Sequence, residues 1–127
     1  MVNALEAKRR VAALRPSLDG WNVYDDVAAA PAPPWIVMSV TQIGRDVNEA
    51  VDVTSRLYTL TARVVGVGAD GVNVACERCM EAFDGRHPEG MGALVPYSDS
   101  GVYDSGLTNP QTGRDYPMRV LAWRFGE

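Results

Sequence analysis

The residues best suited to chemistry are two cysteines three positions apart, Cys76 and Cys79. This spacing occurs in redox pairs and in half of many zinc sites. A structural zinc site needs four ligands, but the sequence offers only one histidine, His87, and no second cysteine pair. A redox pair belongs at a helix N-terminus, whereas these cysteines are predicted in the second and third turns of a helix. We therefore expect both to be small core residues.

The remaining candidate groups form no convergent set. His87 lies in the turn-like segment Gly85–Pro88 and is expected on the surface. No serine stands in a Gly-x-Ser-x-Gly motif, and Asp25 and Asp26 lack the spacing of a calcium-binding loop. The sequence predicts no catalytic residue, no cofactor and no metal, so the chain is not expected to be an enzyme.

A glycine-rich segment, Gly66–Gly71, joins a predicted strand to a predicted helix, as dinucleotide-binding loops do. That function requires a parallel sheet built from paired βαβ units, which a single helix at this position cannot supply. We interpret the glycines as a chain-reversing turn, with Asp70 expected to cap the helix that follows.

Length and composition describe one water-soluble domain spanning residues 1–127. Apolar residues make up 46% and charged residues 22%, which are ordinary values for a folded chain. The net charge of −4 disfavours wrapping of nucleic acid. The two cysteines fit a reducing compartment, and no apolar stretch is long enough for a membrane span or signal peptide, so an intracellular protein is expected.

The N-terminal third is predicted to hold one helix and one short strand. Asn3 and Glu6 have capping-box spacing at the start of a helix that continues to Leu14, and its basic residues are interpreted as a solvated face. A strand is predicted at Trp21–Tyr24, followed by an Ala/Pro loop over residues 28–34.

Two long strands, Trp35–Ile43 and Arg56–Val67, are expected to pair as an antiparallel hairpin. The polar excursion Gly44–Thr54 would form the projecting end of this hairpin. In the second strand, strict alternation places Tyr58 and Leu60 on one face.

The C-terminal half is predicted to hold a helix, a long loop region and a last strand. The helix extends over Val72–Phe83 and is ended by Gly85. Residues 86–117 are expected to be mostly loop, with extended pieces only at Ala93–Tyr97 and Gly101–Tyr103. The last strand, Met118–Phe125, is apolar on both faces, so both are expected to be covered.

This order of elements predicts an α+β fold: a mostly antiparallel sheet with two helices packed on one face and a long projecting hairpin. The expected core residues are Trp35, Tyr58, Leu60, Val72, Cys79, Phe83 and Trp123.

The size, the element order and the excursion between two long strands resemble the tail terminator (tail completion) proteins of long-tailed bacteriophages. The resemblance is carried by the helix around Leu5–Leu14, the two long strands, the second helix and the last strand. It implies a hexameric ring in the virion, assembled in the host cytoplasm, that caps the tail tube and joins it to the head-tail connector or head-closure protein. Six copies at −4 each would carry −24, and DNA would pass through the ring only as cargo.

Contacts with neighbouring subunits or the connector are expected in two places, because tyrosine and arginine favour interfaces. These are the end of the hairpin and the late loop, with the residues Arg45, Asp46, Asn48 and Glu49, and Tyr97, Tyr103, Arg114 and Tyr116. The alternative interpretation is that both are ordinary surface loops. Alternative functions are another phage neck component, or a small ligand-binding or immunity-type domain; an enzyme ranks last.

Overall fold

The computed structural model describes residues 2–29 and 32–127, which form two helices and six strands in one sheet. The elements are α1 (Ala4–Ala12), β1 (Asn22–Asp25), β2 (Trp35–Val47), β3 (Val53–Val65), α2 (Ala69–Phe83), β4 (Val95–Asp99), β5 (Tyr103–Thr108) and β6 (Asp115–Gly126). The sheet order is β1-β2-β3-β6-β4, and β5 pairs with the first part of β6. Only β1 and β2 pair in parallel within these residues. The predicted α+β fold is confirmed. Of the predicted Ala/Pro loop, Ala30 and Pro31 lie outside the described residues.

Both helices pack on one face of the sheet, as predicted. The alternation in β3 turns Tyr58, Leu60, Ala62 and Val64 toward them, and all four are fully buried. All seven residues expected in the core are buried, although Trp35 belongs to a smaller cluster on the other face. Neither α1 nor α2, the two helices within residues 2–29 and 32–127, is long and apolar enough to cross a membrane.

The second face of the sheet, which we call the open face, carries no helix among the described residues. Trp35, Val37 and Val65 are buried there, and half-buried side chains, including Tyr116 and Met118, pack against them. The helix-facing residues of the last strand, Leu121, Trp123 and Phe125, are covered as expected. On the open face Ala122 is buried, whereas Met118 and Val120 are only half-buried.

The excursion predicted over Gly44–Thr54 is wrong in its extent. The two strands continue through most of it, and only residues 48–52 form the connection, which we call the hairpin turn. Strand pairing is made by backbone groups, so polar side chains on both faces of a solvated hairpin do not interrupt it. β6 ends opposite Leu57 at Gly126, so the hairpin beyond this pair projects without a third strand.

Other predicted boundaries also need correction. Residues 86–117 contain β4 and β5, and the last strand begins at Asp115 rather than Met118. The extended pieces predicted at Ala93–Tyr97 and Gly101–Tyr103 overlap β4 and β5 in part, but these edge segments are polar, so the sequence does not show how far each strand extends. α1 ends at Ala12 rather than Leu14.

The caps of the two helices differ in part from the predictions. Gly68, not Asp70, is the N-cap of α2, which places Asp70 in the first turn. Asn3 caps α1 by accepting from the Glu6 backbone N–H at 2.8 Å. The Glu6 carboxylate does not reach back to Asn3 but pairs with Arg9 and Arg10. Gly85 follows α2 with φ +69°, a left-handed conformation that glycine adopts without strain, in agreement with its predicted role.

Candidate functional site

The two cysteines, which are the residues best suited to chemistry, are part of the hydrophobic core. Cys76 and Cys79 are buried on the core side of α2, and burial raises the pKa of the Cys76 thiol to about 11 and that of Cys79 to about 12. Both are therefore protonated at neutral pH and pack as small apolar residues. His87 is exposed, with Nδ1 3.2 Å from the Met91 carbonyl oxygen. Residues 2–29 and 32–127 place no three His, Cys, Asp or Glu side chains where they could hold a metal ion.

The basic residues of α1 and the segment that follows it form ion pairs at the surface, and among them the Arg9 side chain is 76% exposed. The Lys8 Nζ lies 2.8 Å from an Asp26 carboxylate oxygen, and this hydrogen bond raises the pKa of Lys8. Hydrogen bonds from Arg9 and Arg10 lower the pKa of Glu6. The pairs are Lys8 with Asp26, Arg15 with Asp25, and Arg9 and Arg10 with Glu6. Asp25 and Asp26 thus connect β1 to α1.

The hairpin turn is an ordered structure built by Asn48. The Asn48 Oδ1 accepts from the backbone N–H groups of Ala50 and Asp52, each at 3.0 Å. Val51 has φ +64° and is 76% exposed. A left-handed conformation costs an L-residue roughly 1–2 kcal/mol, and a β-branched residue rarely adopts it. The turn therefore presents an apolar side chain to solvent in a strained conformation.

Charged side chains flank Val51 in the turn and continue along the hairpin. Glu49 and Asp52 are exposed, and neither pairs with a cation of the described residues. Asp46 accepts from the Ser55 hydroxyl at 2.8 Å, and Arg45 lies directly opposite Arg56 in the hairpin. Of the four residues predicted here, Asn48 shapes the turn, whereas Arg45, Asp46 and Glu49 present their side chains to solvent.

The four residues predicted in the late loop do not form a single patch. Tyr97 lies in β4, and the centroid of its ring is 3.6 Å from the guanidinium carbon of Arg124. Tyr103 lies in β5, Arg114 lies just before β6, and Tyr116 is half-buried against the open-face cluster. Register places the last three near the start of β6, at the end of the sheet opposite the hairpin turn.

A groove on the open face adds a surface that the sequence did not predict. It has a volume of about 520 Å³ and is lined by apolar side chains together with Arg63, and we call it the open-face groove. Its lining residues are Asp26, Val27, Ala28, Trp35, Val37, Arg63, Val65, Ser105, Leu107 and Met118. The sequence feature that could have indicated this groove is the second apolar face of the last strand, because such a face is expected to be buried against other residues.

Arg63 is the charged residue nearest the middle of this face. It is exposed, lies between Val37 and Val120 in the sheet register, and has no ion-pair partner in the part of the chain that the structure describes. The groove's acidic residue, Asp26, is already paired with Lys8. The open-face groove is therefore apolar with one available cation.

Another polar cluster, on the helix-facing side, has a structural role. Arg119 Nε donates to Asp99 Oδ1 at 2.9 Å and Arg119 Nη1 donates to Asn73 Oδ1 at 3.1 Å, which connects β6, β4 and α2. The hydrogen bonds from Arg119 lower the pKa of Asp99 to about 2.

No protein-family model and no curated protein matches this sequence. The chain has two surfaces suited to contacts with other molecules. One is a projecting hairpin with an exposed apolar residue at its end, and the other is an apolar groove at the far end of the same sheet.

Proposed function

We propose that this chain is a structural protein that assembles with copies of itself into a ring. The observation that carries the proposal is the presence of two unlike surfaces, the hairpin turn and the open-face groove, at opposite ends of one sheet. A ring is held by heterologous contacts, in which one patch of each subunit meets a different patch of the next. The two surfaces have the arrangement that such a contact requires.

The chemistry of the surfaces supports association. Val27, Val51 and Leu107 are 75%, 76% and 44% exposed, and each belongs to one of the two surfaces. Covering apolar area contributes about 25 cal/mol per Å² removed from water. Exposed apolar side chains that line one groove, as Val27 and Leu107 do, are typical of interaction sites.

In its specific form, the proposal is a tail-terminator role in a long-tailed phage. The ring caps the tail tube and joins it to the head-tail connector or head-closure protein of the virion. This follows the resemblance in size and element order, and the projecting hairpin between two long strands supports it. Six copies at −4 each carry −24, so the ring repels DNA phosphates and DNA passes through as cargo.

The first test is the oligomeric state of the purified full-length chain. Native mass spectrometry and negative-stain electron microscopy are expected to show a closed ring of one stoichiometry, formed alone or on added tail tubes. A chain that stays monomeric at every soluble concentration, and also with tail tubes, overturns the ring.

The second test separates the tail-terminator role from another neck role. Deletion of the coding sequence from the virus that carries it is expected to give particles with overlong tails, because nothing then stops tube growth. Tails of normal length on particles that fail to join heads would instead indicate a head-closure or connector protein.

A further inference from the structure

We propose that the hairpin turn of one copy docks in the open-face groove of the next, with Val51 in the groove and a flanking carboxylate on Arg63. This inference rests on the self-assembly proposed above and assigns the two surfaces that meet. The second copy is the occupant because the chain itself carries both halves of the contact.

The hairpin turn is built to present Val51. Its strained backbone, φ +64°, is held by two hydrogen bonds to Asn48, yet the side chain has no apolar cover in its own chain. Strain of this kind persists where a conformation is used, and clusters at binding and switch regions. We therefore infer that the strained turn serves to present Val51 to a binding partner that covers it.

The geometry excludes docking within one chain. The groove residue Val37 and the strand end Val47 are ten positions apart on β2. At about 3.3 Å per residue, the two surfaces are about 33 Å apart on a straight pair of strands. The contact must therefore form between copies, and since the two surfaces differ it is head-to-tail, which closes a ring or extends a filament.

Charge complementarity favours the same pairing. The hairpin turn carries Glu49 and Asp52 and no cation, whereas the centre of the open face carries Arg63 without an ion-pair partner among the described residues. An arginine can hold a carboxylate with two parallel hydrogen bonds, which fixes orientation as well as affinity. The partner therefore supplies the anion that the groove lacks.

The test uses one variant of each surface. Val51→Gly removes the apolar side chain and also relieves the left-handed strain, so the fold is retained. Arg63→Glu reverses the groove charge. Each variant is expected to weaken self-association about 10-fold or more, measured as the dissociation constant by analytical ultracentrifugation. Arg78→Glu, the same charge change at an exposed position of α2, is the matched control and should leave association unchanged.

Mixing the two variants tests the head-to-tail geometry. Val51→Gly retains an intact groove and Arg63→Glu retains an intact hairpin turn, so the mixture is expected to form heterodimers and nothing larger. Combining Arg63→Glu with Glu49→Arg and Asp52→Arg is expected to restore assembly, because the charges are exchanged.

The outcomes separate this inference from the proposed function. A wild-type ring that both variants still form overturns the docking inference and leaves the ring intact. Variants that assemble normally but lose binding to purified tail tubes also overturn it, since the surfaces would then serve the tail. A wild-type chain that never assembles overturns both proposals.

Discussion

At the scale of single residues, Gly66 lies where the chain leaves β3 for α2 and packs against Trp21 and Val72. A Cβ at this position would lie 2.9 Å from Trp21 Cη2 and 2.9 Å from Val72 Cγ2, closer than carbon atoms approach. We expect Gly66→Ala to lower the free energy of unfolding by about 1–3 kcal/mol, because both neighbours must move. Urea denaturation measures this change.

Gly71 provides the matched control for this prediction. It lies in the first turn of α2 and is exposed, and a Cβ there would come only within 4.0 Å of Trp21 Cζ2. Gly71→Ala should therefore raise the free energy of unfolding by up to about 1 kcal/mol, because alanine favours the helix. Equal stabilities for Gly66→Ala and wild type would show that Trp21 packs loosely.

The ion pair of Asp99 and Arg119 predicts a pH-dependent contribution to stability. The pKa of Asp99 is about 2 in the folded chain, below its usual 3.8, so the carboxyl is more acidic when folded. The pair therefore stabilises the fold above about pH 4, and this contribution is lost as the pH falls toward 2. The Asp99 side chain is 42% exposed, so solvent screening limits the contribution to about 1 kcal/mol.

Replacement of this carboxylate tests the pH dependence. Asp99→Asn should lower the free energy of unfolding at pH 7, and the difference from wild type should shrink in urea titrations between pH 4 and 2. Asp99→Asn made in an Arg119→Gln background should show a smaller dependence, because the hydrogen bonds that lower the pKa of Asp99 are then lost. A difference that is constant with pH would contradict the role of the ion pair.

At the scale of elements, the start of α1 depends on the side chain of Asn3. Asn3 Oδ1 accepts from the Glu6 backbone N–H at 2.8 Å and satisfies one of the free donors of the first turn. Asn3→Ala should lower the free energy of unfolding by about 1 kcal/mol, measured by urea denaturation. Asn3→Ser retains an acceptor and should behave as wild type; if serine and alanine behaved alike, the cap would be unimportant.

The elements that the sequence predicted well are those with one buried face, because burial makes apolar residues recur at the spacing of a strand or a helix. β3 alternates strictly from Tyr58 to Val64, and α2 repeats its apolar residues at helical spacing, so both were recognised and their core residues identified. β4 and β5 have no buried residue, so the sequence indicates only short extended pieces there, and the full length of each strand depends on backbone pairing with β6.

The candidate site was predictable only in part, for a similar reason. The polar residues of the hairpin predict contacts at Arg45, Asp46, Asn48 and Glu49, whereas nothing in the local sequence pattern distinguishes the exposed apolar Val51. In the sequence, Arg63 is indistinguishable from any other solvent-facing residue of an amphipathic strand. Its position between Val37 and Val120 comes from pairing with two other strands, which is long-range information.

At the scale of the whole molecule, the sheet has two ends with different surfaces. Near the start of β2 the open face is apolar and carries the groove, whereas the other end of β2 and β3 leaves the body as a solvated hairpin. The core on the helix-covered face involves neither surface. Stability and assembly are therefore expected to be separable, with the helix-facing core responsible for the first and the two ends for the second.

This separation can be tested by shortening the hairpin. Residues 46–55 are replaced by Asn-Gly, a two-residue turn that joins the opposed pair Arg45 and Arg56. None of the ten removed residues is buried, so the free energy of unfolding should stay within about 1 kcal/mol of wild type. The variant should nevertheless be monomeric by light scattering, because it retains the groove but lacks the segment that enters it. A shortened chain that still forms rings would place the contact elsewhere, and one that fails to fold would make the hairpin part of the stabilising core.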